Sequence, residues 1–356
     1  MTTYPLGWQS WSPPTTSWHH LPSWDYCPTQ DIPIPFPKPL RPKPPLNGWC
    51  SWYALGWNIS HQKILDQARL INQNLLSIDY LLIDDGWTTW GDWQNPNPKL
   101  FPLGIKETAR SLNNLGFQTG LWIAPFLANR SSQLLKKHPD WFIHNKRGKY
   151  IQGLKTAPII EQLSPQKYLL DYSNPEVIDY LHLVINIIIS TWNINVLKLD
   201  FLYAPYFDPR LSNATQASHA IRNLLQHIKR QHPHVTLIVC GCPFADALNN
   251  SDVIRFSKDA TLPPPAPKLL RKFLYLKRIR LMQQKYNLIP SDFSALPDPD
   301  VRMFSLDTRE TDFIWDTIQK SSLTLGDDLT QLSLDALQAA RIWLQKNPSS
   351  RSSSPR

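Results

Sequence analysis

Short apolar runs alternate with longer amphipathic stretches along most of the chain. The apolar runs are five to seven residues long and carry Val, Ile, Leu and Trp, a pattern that predicts buried β-strands. The predicted strands are residues 48–52, 80–84, 118–124, 196–200, 236–240, 253–257, 301–305 and 322–326. The seventh has the weakest pattern of the set.

Between these runs, apolar residues recur at the spacing of one helix face. The predicted helices are residues 60–75, 106–115, 131–138, 175–192, 214–231, 268–286, 312–320 and 333–345. Strands that alternate with helices indicate a parallel sheet, so the predicted class is α/β, and eight of each favour a TIM (β/α)8 barrel. An open doubly wound sheet is the alternative, weakened because no Gly-x-Gly-x-x-Gly turn follows an early strand.

Both ends of the chain depart from the alternation. Residues 1–46 are rich in proline and tryptophan and show no period, so we expect an extended segment lying on the surface. Residues 347–356 are rich in serine and should form a disordered tail. The predicted organisation is therefore an N-terminal segment 1–46, a catalytic barrel 47–346 and a tail 347–356.

Composition narrows the classes of function. With 42% hydrophobic and 18% charged residues, the chain of 356 residues can bury a large core. The net charge of +9 alone does not establish a nucleic-acid partner, and the basic stretch 268–286 has the spacing of a solvated helix face. No nucleic-acid partner is therefore expected. No apolar stretch is long enough to span a bilayer, and the N-terminus has no secretory pattern, so no membrane partner is expected either.

The four cysteines form no Cys-x-x-Cys pair and have no histidine at zinc-ligand spacing. No metal site is therefore predicted. The expected compartment is the reducing cytoplasm, where thiols stay free.

Charged residues recur at the carboxyl ends of the predicted strands, where parallel barrels carry their active sites. Lys198 and Asp200 are two residues apart in one strand, so their side chains point the same way. A lysine beside a carboxylate keeps it ionised, as a nucleophile requires. A buried structural ion pair accounts for the spacing equally well.

A second carboxylate, Asp259, follows the sixth strand, with Arg255 four residues before it. Glycoside cleavage needs two carboxyl groups, and Asp259 would supply the proton donor. The plain alternative is a solvated loop carboxylate.

Asp84 and Asp85 end the second strand and precede a loop rich in tryptophan. Adjacent carboxylates can accept hydrogen bonds from several sugar hydroxyls, and indole faces cover the C–H face of a sugar ring. Burial in the core is the ordinary alternative for Trp87, Trp90 and Trp93. The combination favours a carbohydrate site.

These features occur within ordered motifs that resemble the barrel motifs of melibiase-type α-galactosidases, glycoside hydrolase family 36 in clan D. The resemblance runs from about Gly48 to Ala260 and continues weakly through the DPDV and LTLGDDL segments. Its motifs are NGWCSWYALGW, LLIDDGWTTWGDW, KLFPLGIK, GLWIAPF, HPDWF, LLDYSNPEV, LKLDFLYA and VIRFSKDA.

The resemblance implies a retaining glycosidase that cleaves terminal α-linked galactose by double displacement. Asp200 falls on the family's nucleophile and Asp259 on its acid/base. The residues that it implies for sugar binding are Asp84, Asp85, Lys198, Arg255, Trp49, Trp122 and Cys240. Arg255 would bind the 2-hydroxyl of galactose. No metal and no organic cofactor is implied, and the implied partner is an α-galactoside or an oligosaccharide.

The chain departs from the family at several points. Relatives carry a β-sandwich before the barrel, whereas here the segment that normally follows it begins at Gly7, so we expect the sandwich to be missing. The acid/base motif has Ser257 and Lys258 where relatives usually have Gly-Pro. A galactosyl-transferring enzyme and a truncated, non-catalytic carbohydrate-binding barrel stay open as alternatives. The oligomeric state is open too, a homo-oligomer included.

Overall fold

The computed structural model describes residues 46–153, 166–211, 214–287, 295–318 and 321–347. The proline-rich segment 1–45 and the tail 348–356 lie outside the described residues, so their expected conformations stay predictions. The domain division proposed from the sequence stays a prediction as well.

The described residues form eleven β-strands. The strands are β1 (Asn47–Cys50), β2 (Tyr80–Ile83), β3 (Gln118–Ile123), β4 (Leu127–Asn129), β5 (Lys167–Leu169), β6 (Val196–Leu199), β7 (Thr236–Val239), β8 (Val253–Arg255), β9 (Leu296–Asp298), β10 (Val301–Arg302) and β11 (Leu323–Leu325).

They also form ten α-helices. The helices are α1 (Ser51–Leu55), α2 (His61–Gln73), α3 (Gly104–Asn114), α4 (Gln133–Lys137), α5 (Pro175–Asn186), α6 (Thr215–Gln231), α7 (Phe244–Ala247), α8 (Lys268–Tyr286), α9 (Arg309–Thr317) and α10 (Leu334–Lys346).

Nine of the strands form one parallel sheet in the order β10-β11-β1-β2-β3-β6-β7-β8-β9. Only Pro299 and Asp300 separate β9 from β10, so these two are halves of one interrupted strand. The sheet therefore returns on itself as an eight-stranded barrel. The predicted α/β barrel is confirmed, and the open sheet is excluded.

Most predicted strands end a residue or two earlier in the structure than in the sequence pattern, because the residues after them turn sharply at the barrel mouth. Asp200 is already outside β6, and Phe201 next to it has a φ of 53°. The predicted helix 175–192 is α5, continued by a π-helical turn at Ile187–Thr191.

Several short elements were not predicted, among them α7 and β9. The short helix α1 follows β1 directly, and β4 pairs with β5 in an antiparallel ribbon beside the barrel. Strands this short have too few residues to show a period.

Two residues near the amino ends of β1 and β2, away from the candidate site, pack closely. Gly48 leaves room for the ring of Tyr80, since a Cβ at Gly48 would lie 2.3 Å from that ring. Every residue of β2, β6 and β7 is buried, as expected for parallel strands covered by helices. Lys198, Asp200 and Arg255 lie at the opposite end, where the strands finish.

Among the described helices, none combines the length and apolar character that a bilayer crossing requires.

Candidate active site

Asp200 lies directly after β6, and its carboxylate is fixed by two donors. The indole Nε1 of Trp122 donates to Oδ2 at 3.0 Å, and the backbone N–H of Phe201 donates to Oδ1 at 2.7 Å. The side chain is buried. Both oxygens are held by groups of the barrel mouth, so the carboxylate has a defined orientation.

Burial raises the pKa of Asp200, and the negative charge of Asp259 raises it further. The positive charge of Lys198 and the hydrogen bond from Trp122 act in the opposite direction. Asp200 and Asp259 follow β6 and β8, the two strands that flank β7 in the sheet, so both lie at the barrel mouth although 59 positions separate them in the chain, from 200 to 259.

Lys198 makes its hydrogen bond to Asp84. The distance from Nζ to Oδ2 is 2.8 Å, and both side chains are buried. Burial opposes the charged form of Lys198, but the charge of Asp84 and of neighbouring groups outweighs it and holds the pKa of Lys198 well above its usual value. Lys198 therefore acts on Asp200 through its charge, while Asp84 is its direct partner.

Asp85 faces two tryptophans. Trp90 donates its Nε1 to Oδ1 at 2.6 Å, and Trp57 donates its Nε1 to Oδ2 at 3.0 Å. Burial raises the pKa of Asp85, and the two indole hydrogen bonds partly offset that rise. Trp57 is 49% exposed, so it carries an indole face at the rim of this group.

Arg255 ends β8 with a side chain that is 3% exposed. Its Nη2 contacts Asp300 and lies 3.7 Å from Oδ1 of Asp259, while its Nε lies 3.6 Å from Oδ2 of Asp298. Nη1 and Nε have no hydrogen-bond partner among the described residues. A buried donor without a partner costs about 1–3 kcal/mol, so this guanidinium is suited to an acceptor supplied by a ligand.

Asp259 differs from the other carboxylates of the group in exposure. Its side chain is 37% exposed, whereas those of Asp84 and Asp300 are each 4% exposed. Of these three carboxylates, that of Asp259 is therefore the one that solvent can reach.

Aromatic rings and a thiol form the wall beside Asp200. Trp122 lies 5.0 Å from Trp90 between ring centroids, and Phe201 lies 5.3 Å from Trp90. Cys240 is buried, and burial together with the charge of Asp200 raises the pKa of its thiol well above the usual value. The thiol is therefore neutral and serves as a small, weakly polar surface.

Trp49 is not brought to this group. It is fully buried, and its Nε1 donates to the backbone carbonyl of Asp327 at 2.8 Å. Side chains alternate along a strand, so the neighbouring Cys50 points to the site instead, with its Sγ 3.5 Å from Oδ2 of Asp84. The structure gives no support to the pocket role predicted for Trp49.

The three tryptophans of the loop after β2 lie in two different environments. Trp87 and Trp93 are fully buried, which agrees with the alternative that they belong to the core. Trp90 contacts Asp85 instead. Four further residues contact this group and were not predicted: Tyr53, Trp57, Asp298 and Asp300. The DPD segment around Pro299 was a signal that could have drawn attention to the last two.

Within the described part of the chain, no three His, Cys, Asp or Glu side chains are grouped so that they could hold a metal ion.

The eight-stranded parallel barrel with carboxylates, a lysine and an arginine at its mouth defines a protein with the site architecture of a glycosidase. A family model described as Melibiase matches residues 41–247, more than half of the chain, and the chain belongs to this family. The resemblance drawn from the motifs is confirmed.

Several relatives are named α-galactosidases. The chain is 30% identical over 158 residues to α-galactosidase AgaA of Geobacillus stearothermophilus, which covers 42% of this chain and 20% of the relative. It is 30% identical over 189 residues to probable α-galactosidase C of Aspergillus oryzae, which covers 48% of this chain and 23% of the relative. The matched segments thus span less than a quarter of these relatives' own lengths.

Solved structures share the fold. The α-galactosidase of Thermus thermophilus in complex with p-nitrophenyl α-D-galactopyranoside superimposes with a TM-score of 0.69 at 25% identity, over 86% of this chain and 62% of that one. The AgaA structure superimposes with a TM-score of 0.61 at 18% identity, over 86% of this chain and 42% of that one. The second likeness concerns the fold alone.

Proposed function

We propose that this chain is a retaining α-galactosidase. The observation that carries the proposal is that Asp200 and Asp259 follow the carboxyl ends of β6 and β8, which flank β7 in the barrel, with Nη2 of Arg255 3.7 Å from Oδ1 of Asp259. Membership of the Melibiase family supports it, as do relatives named α-galactosidases and the Thermus thermophilus enzyme in complex with an aryl α-galactoside.

Asp200 is the proposed nucleophile. One carboxylate oxygen forms a bond to the anomeric carbon while the glycosidic C–O bond breaks, and Asp259 gives its proton to the departing oxygen. In the second step Asp259 takes a proton from water, the water oxygen attacks the same carbon, and the bond to Asp200 breaks. The donors Trp122 and Phe201 hold Asp200 in place for both steps.

The remaining residues are proposed to bind the sugar. Asp84 and Asp85 would accept hydrogen bonds from hydroxyls at one end of the ring, with Lys198 donating beside them. Arg255 would donate from its unpaired Nη1 to the 2-hydroxyl. Trp122 and Cys240 would form the wall, and Trp49 is left out because its indole is bound elsewhere.

Initial rates on p-nitrophenyl α-galactoside, α-glucoside and α-N-acetylgalactosaminide test the proposal. We expect turnover of the α-galactoside in preference to the other two. Asp200→Ala should reduce turnover by several orders of magnitude with the fold intact, whereas Asp335→Ala, which removes an exposed carboxylate from α10, should leave it unchanged. NMR detection of α-galactose as the first-formed product would support retention, and β-galactose would overturn it.

The terminal galactose of oligosaccharides is the proposed substrate class, and the cytoplasm the proposed compartment. Cys50 and Cys240 form no disulfide and lie beside charged site residues, which fits a compartment that keeps thiols reduced. Cell fractionation tests the compartment. Light scattering on the purified chain tests the homo-oligomer that the sequence left open.

A further inference from the structure

Asp300 lies in the break between β9 and β10, in a backbone conformation rare for its residue type. Its φ is 85°, in the left-handed region, which is strained for a residue other than glycine. Its backbone N–H donates to Oδ1 of Asp298 at 2.8 Å. Strain of this kind persists only where surrounding contacts maintain it, and here the contacts are made by the side chain.

The carboxylate of Asp300 binds three separate parts of the barrel mouth. Its Oδ1 accepts from Nη2 of Arg255 in β8. Its Oδ2 accepts from the hydroxyl of Tyr53 in α1 at 2.5 Å and from the backbone N–H of Ala260 at 2.5 Å. The side chain is 4% exposed, so these contacts are not exchanged for water.

The contact with Ala260 fixes the segment that carries Asp259. The N–H of Ala260 and the carbonyl of Asp259 belong to one peptide group. Asp300 accepts from that N–H, and Nη1 of Arg278 in α8 donates to that carbonyl at 2.6 Å. With both ends of the peptide group bound, the direction in which the Asp259 side chain leaves the backbone is set.

We propose that Asp300 is a positioning residue that holds Arg255 and the Asp259 segment in one working arrangement. This inference rests on the function proposed above, in which Asp259 is the acid/base. Asp300 would not touch the substrate, and it would act on the reaction through the two residues that do.

Rates on two substrates with different leaving groups can distinguish a misplaced acid from a smaller amount of active protein. The p-nitrophenolate ion departs without protonation. The sugar that leaves when a disaccharide such as melibiose is cleaved requires a proton from the acid. If Asp259 is displaced, cleavage of the glycosidic bond should therefore slow more in the disaccharide than in the aryl substrate. A merely structural defect lowers the amount of active enzyme and reduces both rates by one factor.

The experiment compares kcat/KM on p-nitrophenyl α-galactoside and on melibiose for wild type and Asp300→Asn. Asparagine keeps the size of the side chain but replaces one acceptor oxygen with a donor, which then faces Arg255 or the Ala260 N–H. We expect a loss of at least about 100-fold on melibiose, in the range of a general acid's contribution, and of less than about 10-fold on the aryl substrate.

Two further variants keep the test decisive. Tyr53→Phe removes one hydroxyl that holds Asp300 and should change the two rates in the same unequal sense, by a smaller ratio, even where Asp300→Asn does not fold. Asp327→Asn is the matched control, because Asp327 is also a buried carboxylate and it binds the backbone N–H groups of Phe304 and Ser305 instead. It should reduce both rates equally or not at all.

An equal loss on both substrates in Asp300→Asn and Tyr53→Phe, or no loss in either, would overturn the positioning role. That result is distinct from failure of the proposed function, which would show as folded wild-type protein that turns over neither α-galactoside.

Discussion

The ammonium of Lys198 is bound to Asp84, whose Oδ2 lies 2.8 Å away, 114 residues earlier in the chain. This contact links the ends of β6 and β2 across β3, which lies between them in the sheet. Both side chains are buried, so each charge depends on the other for compensation. The pair therefore contributes both to the stability of the barrel mouth and to the electrostatics around Asp200.

Replacing Lys198 with methionine should destabilise the protein, because it leaves the charge of Asp84 buried and uncompensated. Breaking a buried pair in this way costs about 3–5 kcal/mol. We expect the free energy of unfolding, measured by urea denaturation at neutral pH, to fall by that order. The double variant Lys198→Met with Asp84→Leu removes both charges and should recover much of the loss. A loss in the double variant equal to the sum of the losses in Lys198→Met and Asp84→Leu alone would show that the pair is not coupled.

The hydrogen bond from Trp122 should set the pH range in which Asp200 is ionised. That bond lowers the pKa of Asp200 against the larger effect of burial. In Trp122→Phe the pKa rises further, so the carboxylate becomes protonated at higher pH. The acid limb of kcat/KM on an aryl α-galactoside should therefore move to higher pH, with a smaller change on the alkaline side. An acid limb that stays in place would separate Trp122 from the ionisation of Asp200.

The barrel and part of its site could be predicted because local patterns determine them. Apolar runs with polar ends give the strands, and two-residue spacing puts Lys198 and Asp200 on one face. Nothing local says that the partner of Lys198 is Asp84, because that choice depends on which strands are adjacent in the barrel. Asp300 was missed for a similar reason, since its three partners come from distant segments.

Trp49 shows how much the contacts of two neighbouring residues in one strand can differ. Its motif predicted a pocket residue, but the pleat of β1 turns Trp49 towards Asp327 and Cys50 towards Asp84. A period of two determines which residues share a face without saying which face looks inward. Only contacts made by residues far along the chain decide that.

Trp49→Phe should therefore affect stability and leave substrate binding unchanged. The variant removes the donor to the carbonyl of Asp327, and a buried acceptor left unpaired costs about 1–3 kcal/mol. We expect a lower melting temperature with KM on p-nitrophenyl α-galactoside within twofold of wild type. Trp122→Phe, which changes an indole at the site, serves as the contrast. A tenfold rise in KM for Trp49→Phe would show that Trp49 contributes to substrate binding.

The stability of the barrel should fall at mildly acidic pH because of a stacked histidine pair between α5 and α6. The rings of His182 and His227 lie 3.5 Å apart between centroids with planes 3° apart. Burial lowers the pKa of both, Asp179 partly offsets this for His182, and the charges of His182, His232 and Arg230 lower that of His227 further. The folded state thus binds protons less readily than the unfolded state, whose histidines titrate near pH 6.5.

By linkage, the stabilisation from keeping these rings neutral is complete above about pH 6.5 and is lost as the pH falls below it. We expect urea denaturation to show a free energy of unfolding that declines from pH 7.5 to pH 5.5, and a shallower decline in His227→Gln. His219→Gln, an exposed histidine on the same helix α6, should decline as wild type does. If His227→Gln and wild type lose stability in parallel over this interval, the acid sensitivity arises from other groups and the stacked pair does not cause it.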